Sequence, residues 1–203
     1  SKEPPRKLLF FCQTEAETGG ETPISDCRLV YERMPEALRD KFERLGVRYV
    51  KNMPGNEKGL GKSWMDHYET KDPKKVERYL VENEMTWSWL PGGSLRTESN
   101  RPAVRLHPVT KEKVWYNQAN LWHVSNFEES RRKTLLQLCG EEGLPTHCYF
   151  GDGSKMSDEE LDVVRSVLWD TAVVFPWRQG DLLVLDNILC LHGRMPFDGP
   201  RKV

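Results

Sequence analysis

Residues 180–203 constrain the fold more than any other stretch of this chain. A Gly180-Asp181 turn feeds the apolar run Leu182-Leu183-Val184-Leu185, then Asp186-Asn187, then a lone His192 followed nine residues later by Arg201. A Gly-Asp turn before a short apolar run is a strand entry signal. A His just past such a strand, with a basic residue downstream, is how a sheet presents a metal ligand and an anion clamp. One His cannot hold a catalytic metal, so the stretch marks a site and also shows what that site lacks.

The rest of the chain repeats this grammar. Lys7–Cys12 is a continuous apolar run and reads as a strand buried on both faces. Gly19-Gly20 breaks it, and Thr22-Pro23-Ile24 resumes in extended form because Pro23 biases Thr22 away from helix. Ser25 or Asp26 can cap a helix carrying Leu29, Val30 and Met34 on one face. Pro35 starts a second, with Leu38, Phe42 and Leu45 at helical spacing and Gly46 closing it. Strands are expected at 47–52, 85–90, 103–106 and 114–117, with a loop at 55–61. Helices are expected at 74–82 behind Asp72-Pro73, at 128–139, and from a Ser157/Glu160 capping box to about Thr171. Short strands punctuated by Gly and Pro, with helices between them, fit a mainly β fold, a sandwich or jelly roll with helical insertions. A doubly wound α/β fold is the rival, weakened because no Gly-rich phosphate loop follows a strand and opens a helix.

Composition narrows function by exclusion. Lys and Arg total 30 against 31 Asp and Glu, so no global field points to nucleic acid, and the seven Trp lack a basic stripe to accompany them. No apolar run is long enough to span a bilayer and no secretory signal opens the chain. Five widely spaced cysteines without a C-x-x-C pair argue against a disulfide framework or a zinc cluster, and read as reduced thiols in the cytoplasm. There is no G-x-S-x-G elbow and no Cys in a Cys-His context. A two-His, one-carboxylate iron face requires three ligands around one side of the metal. His67-Tyr68-Glu69 alone has the His-x-carboxylate form, but it lies in a polar, loop-like stretch. His107 and His123 read as structural or pocket-lining, and His147 has no further ligand near it in sequence.

Four segments together resemble the taurine dioxygenase (TauD/TfdA-like) group of oxygenases, in its clavaminate synthase-like and syringomycin-biosynthesis-type branch. They are Lys7–Cys12 running into Gly19-Gly20-Glu21-Thr22-Pro23-Ile24; Arg101–Pro108; Val114-Trp115-Tyr116-Asn117-Gln118; and Gly180 through His192-Gly193-Arg194-Met195-Pro196-Phe197 to Arg201. The resemblance implies a double-stranded β-helix (jelly roll) core over a single domain, 1–203, lacking its N-terminal part and its last strand. It implies Fe(II) and 2-oxoglutarate as cofactors, and O2 with a small amino-acid-like or other carboxylate or amine substrate. That substrate would be hydroxylated with release of succinate and CO2. His192 would be the distal metal ligand, Thr22 a hydrogen-bond partner of 2-oxoglutarate, and Arg201 the clamp on its far carboxylate. Lys202 is the neighbouring candidate, since a one-residue strand shift exchanges which side chain faces inward. Asn117 and Gln118 would line the substrate pocket. In this family a His-x-Asp/Glu pair precedes the first strand by a short interval, so the other two ligands are expected upstream of Ser1 and His67-Tyr68-Glu69 is a decoy. The alternative is a non-catalytic jelly-roll protein that has lost the metal pair; a binding or assembly module has no positive support.

Overall fold

The computed structural model describes residues 4–56 and 59–203. The chain forms two compact units, one from Lys41–Ala103 with Asn117–Asp162, the other from residues 4–40, 104–116 and 163–203. The architecture is mixed, and every strand pairing is antiparallel.

In chain order the elements are β1 (Lys7–Phe11), β2 (Thr18–Gly19), β3 (Ile24–Asp26), α1 (Cys27–Arg33), α2 (Glu36–Leu45), β4 (Val47–Met53), α3 (Trp64–Tyr68) and α4 (Pro73–Glu82). There follow β5 (Thr86–Leu90), β6 (Ser94–Arg101), β7 (Val104–Leu106), β8 (Lys113–Trp115), α5 (Ala119–Trp122), α6 (Glu129–Cys139) and β9 (Thr146–Phe150). The chain closes with α7 (Asp158–Asp170), β10 (Ala172–Val173), β11 (Leu182–Asp186), β12 (Cys190–His192) and β13 (Phe197–Asp198).

The first unit is built on a four-stranded sheet in the order β5-β6-β4-β9. Met53 and Leu95 from its inner face close on Trp64 of α3 and on Val76 and Leu80 of α4. Burying side chains of that size stabilises by about 1.5–3 kcal/mol each. Trp64 and Trp89 meet edge to face at 5.1 Å, and each indole N–H finds an acceptor, Gly93 O at 3.0 Å and Glu77 Oε1 at 2.8 Å. Local chemistry sets the helix ends. Asp72 accepts from Lys74 N ahead of Pro73, and Ser157 and Glu160 exchange the two hydrogen bonds of a capping box.

The second unit holds β1 paired with β11, β3 between β10 and β12, β2 with β13, and β7 with β8. Asp26 caps α1 by accepting from Arg28 N. The helix packs on β8, where Cys27, Val114 and Ile188 form a small core closed by Tyr116, Leu189 and Leu191.

Several expectations from sequence are corrected. The strand at 7–11 is half-buried on one face and open on the other: Leu9 is 66% exposed and Phe11 55%, because they stand opposite Val184 and Leu182 on the open side of the β1–β11 ribbon. The polar stretch around His67 is helical, since Ser63 caps Asp66 N and nucleates a short turn. Among the described residues, β6 and β9 and the short strands β2, β10, β12 and β13 go unpredicted. Part of the expected 55–61 loop, residues 57 and 58, lies outside the described residues.

Candidate active site

His192, Thr22 and Arg201 all belong to the second unit, and one backbone ladder organises them. Strand β12 pairs with β3 in the register Cys190–Asp26, Leu191–Ser25, His192–Ile24. The pairing runs on past both strands: Gly193 N donates to Pro23 O at 3.0 Å, Met195 N to Glu21 O at 2.9 Å, and Gly20 N to Pro196 O at 2.9 Å. The Gly-Gly-Glu-Thr-Pro-Ile segment therefore lies alongside the His-Gly-Arg-Met-Pro segment, although some 170 residues separate them.

A tight turn delivers His192 to this ladder. Asp186 Oδ1 accepts from Ile188 N at 3.0 Å and Leu189 N at 3.3 Å, folding the chain from β11 into β12. Its other oxygen takes an ion pair from Lys7 Nζ at 2.9 Å and lies 3.4 Å from His107 Nε2. Burial pushes the Asp186 carboxyl up, but the Lys7 hydrogen bond and the two turn amides outweigh it and hold the pKa down to about 2. His107 is thus structural; its Nδ1 accepts from Thr110 N at 3.1 Å. His192 itself is exposed, with its ring packed at 5.3 Å against Phe10. Among the described residues neither of its ring nitrogens has a hydrogen-bond partner.

Thr22 is 3% exposed and its Oγ1 accepts from the indole N–H of Trp177 at 2.9 Å. Arg201 turns onto Gly20: its Nε donates to Gly20 O at 3.0 Å and its guanidinium stacks 5.6 Å from the centre of the Phe197 ring. Arg194 covers the same ring at 5.2 Å. Among the described residues no carboxylate pairs with Arg201, so its terminal nitrogens are available to an anion. Lys202 behaves differently, being exposed and exchanging backbone hydrogen bonds with Thr14.

The remaining sequence candidates lie in the first unit. Asn117 is buried with both ends of its amide engaged, Nδ2 donating to Ala103 O at 3.2 Å and Oδ1 accepting from Ala119 N at 3.1 Å. Gln118 has an exposed side chain, and its backbone N–H donates to Tyr49 Oη at 2.9 Å. His67 faces a cation, with Lys51 Nζ 3.2 Å from its Nδ1; burial and then Lys51 and Lys62 hold its pKa below the usual value. That setting repels a metal ion. His147 stacks on His123 at 4.5 Å and accepts from Val124 N at 3.3 Å. Among the described residues no group of three His, Cys, Asp or Glu side chains is placed to hold a metal, and no helix is long and apolar enough to cross a membrane.

Sequence reasoning missed Trp177 and the close approach of Gly20 to Arg201. A Trp in the aperiodic stretch Pro176-Trp177-Arg178-Gln179-Gly180 was the available signal for the first, since a large aromatic outside any periodic element needs a specific partner.

Comparison with known proteins places this geometry in context. The profile of the family described as taurine catabolism dioxygenase TauD, TfdA matches residues 1–203. The chain is 40% identical over 199 residues to the dapdiamide synthesis protein DdaC of Enterobacter agglomerans, covering 98% of this chain and 60% of that protein. It is 30% identical over 209 residues to a clavaminate synthase-like protein of Arabidopsis thaliana, covering 100% of this chain and again 60% of the relative. The chain thus spans about 60% of the length of the relatives it matches. Among solved structures, AAD-2 in complex with Mn(II) and N-oxalylglycine aligns with TM-score 0.54 at 16% identity, over 98% of this chain and 55% of that one. PvcB, an Fe, alpha-ketoglutarate dependent oxygenase from an isonitrile synthetic pathway, aligns with TM-score 0.50 at 16% identity, over 97% and 49%. At that identity the structural likeness speaks for the fold.

Proposed function

The chain belongs to the TauD, TfdA family, and on that premise we propose that it is an iron(II)- and 2-oxoglutarate-dependent oxygenase built on a jelly-roll core. Its substrate is a small amino-acid-like or other carboxylate or amine compound, hydroxylated at the expense of O2. The observation that carries the reading is Arg201, an arginine without an acidic partner among the described residues, tied through Gly20 O to the ladder that bears His192 and Thr22.

The residues present fit a dicarboxylate well. Arg201 offers a planar, permanently charged fork whose Nε is anchored, leaving the terminal nitrogens to take a carboxylate in two parallel bonds. Thr22 adds a buried hydroxyl. The fit to iron is partial: His192 presents an imidazole with both nitrogens unengaged, and no second and third donor join it among the described residues. Under this reading the remaining two ligands, a His-x-Asp/Glu pair, belong to sequence preceding Ser1. Iron(II), when bound with 2-oxoglutarate, supplies the oxidative decarboxylation that yields succinate and CO2 and passes an oxygen atom to the substrate. This chain's own residues orient the co-substrate and hold one imidazole in place through Phe10 and the β3–β12 register. The five free cysteines accord with a reducing compartment, and the reading places the protein in the cytoplasm.

The test is succinate formation from 2-oxoglutarate with iron(II) under air, read beside 2-oxoglutarate binding. His192→Ala is expected to abolish turnover, and Arg201→Ala to raise the KM for 2-oxoglutarate by at least about tenfold. A protein that binds neither 2-oxoglutarate nor N-oxalylglycine would leave the non-catalytic jelly roll as the better account.

A further inference from the structure

The hydrogen bond between Trp177 and Thr22 has a direction that the chemistry fixes. An indole N–H can only donate, so at 2.9 Å Thr22 Oγ1 is the acceptor. A hydroxyl carries one proton besides its lone pairs, and that proton must now point away from the indole. Both side chains are buried, Thr22 3% exposed and Trp177 7%. Among the described residues no acceptor stands within hydrogen-bonding reach of the Thr22 proton. A buried donor left unspent is costly, and a carboxylate oxygen is the acceptor that would satisfy it most strongly.

A merely structural Trp177 would be as well served by a backbone carbonyl, the acceptor that Trp64 uses at Gly93 O. Choosing a hydroxyl instead removes the rotor's freedom: it can no longer donate toward Trp177, and the bound ligand meets a donor already aimed. Pro23 adds to this by keeping Thr22 extended, and the ladder bonds at Glu21 O and Pro23 O fix the backbone on either side.

We infer that Trp177 is a positioning residue for the co-substrate: its indole N–H commits the Thr22 hydroxyl to donate to a carboxylate oxygen of 2-oxoglutarate. The inference rests on the assignment of Thr22 to 2-oxoglutarate made above. It makes the site select an acceptor oxygen at that point, since a ligand group presenting a donor there would face the Thr22 proton.

Equilibrium binding of 2-oxoglutarate, measured by calorimetry on iron(II)-loaded protein without oxygen, tests it. Trp177→Phe keeps the ring and removes the N–H; affinity should fall about fivefold. Thr22→Val should cost about tenfold or more, Thr22→Ser should stay within about twofold of the parent, and the double variant Thr22→Val/Trp177→Phe should bind no more weakly than Thr22→Val. An unchanged affinity in Trp177→Phe beside a loss in Thr22→Val overturns the inference and leaves the Thr22 assignment standing. Additive losses also overturn it, because Trp177 would then act independently of Thr22. No loss in Thr22→Val removes the Thr22 assignment itself. Should Trp177→Phe fail to fold, the indole N–H resonance of 15N-tryptophan-labelled protein gives a second readout. It should shift on 2-oxoglutarate addition in the parent and not in Thr22→Val; a resonance indifferent to ligand in the parent overturns the inference.

Discussion

Gly19 and Gly20 stand side by side, yet replacing each with alanine should have different consequences. Both have positive φ, +70° and +76°, which costs a non-glycine residue about 1–2 kcal/mol. What the new methyl meets separates them. At Gly20 it would lie 2.9 Å from Arg201 Cδ and 3.0 Å from its Nε, against a comfortable carbon contact of about 3.5–4.0 Å. The two closest atoms belong to a flexible side chain, so Arg201 moves by roughly half an ångström or more, while Ala16 Cβ at 3.2 Å must yield only slightly. At Gly19 the methyl would lie 2.3 Å from Pro196 O, the same carbonyl that accepts from Gly20 N at 2.9 Å. That carbonyl cannot retreat without opening the ladder. Gly20→Ala should therefore lose about 1–2 kcal/mol of stability and about tenfold in 2-oxoglutarate affinity through the displaced guanidinium. Gly19→Ala should lose about 2–4 kcal/mol, the strain and the overpacking together. Urea unfolding followed by fluorescence, with calorimetric titration of 2-oxoglutarate, reads both quantities. If Gly20→Ala binds 2-oxoglutarate like the parent, or loses the same factor again in an Arg201→Ala background, the coupling of Gly20 to Arg201 is wrong.

Three further outcomes follow from the electrostatics and the buried hydrogen bonds. The Asp186 carboxyl, held at about 2 against an ordinary 3.8, contributes stability that is complete above about pH 4 and is lost as pH falls toward 2. Since Lys7 is 62% exposed, solvent screening leaves about 1 kcal/mol of that; Asp186→Asn should flatten the acid limb of an unfolding-versus-pH series. Burial holds the His147 pKa below 6.5 despite the opposing pull of Glu141, so the unfolded chain takes up a proton first and stability should fall as pH drops below about 6.5. His147→Gln should remove that slope. Tyr49→Phe withdraws the acceptor of the Gln118 N–H and should cost about 1–2 kcal/mol in urea unfolding, with no change in its pH dependence.

What could be read from sequence divides along physical lines. Helices with strong end chemistry were legible: Asp72-Pro73, the Ser157/Glu160 box and the Gly46 stop each place a boundary, because caps act within a few residues of the chain. Strand β6 was not, since Ser-Leu-Arg-Thr-Glu-Ser-Asn-Arg contains a single large apolar residue, Leu95. It is central because β4 and β5 flank it, a tertiary fact that no local window carries. The β1 run misled in the opposite sense. Its outward Leu9 and Phe11 are as apolar as its inward Leu8 and Phe10, so periodicity could not announce that one side is open. At the site, the residue types of His192, Thr22 and Arg201 were visible in sequence and their juxtaposition was not, because it depends on the register of β3 against β12.

That register explains why so short a strand can fix the His192 imidazole proposed above as a metal ligand. Three residues of β12 bury little and could slide on their own, and a slip of one residue would turn His192 to the opposite face. Pins at both ends prevent it. On the entering side Asp186 fixes the turn through two backbone amides and is tied to β1 by Lys7. On the leaving side Gly193, Met195 and Gly20 extend the ladder three bonds beyond the strand. Arg201 then closes onto the carbonyl of Gly20, a residue of that same ladder. The imidazole, the hydroxyl and the guanidinium are therefore not three independent placements. One shift of register would displace all three, so the most direct way to disable the site is at Asp186 or Gly19, neither of which needs to touch a ligand.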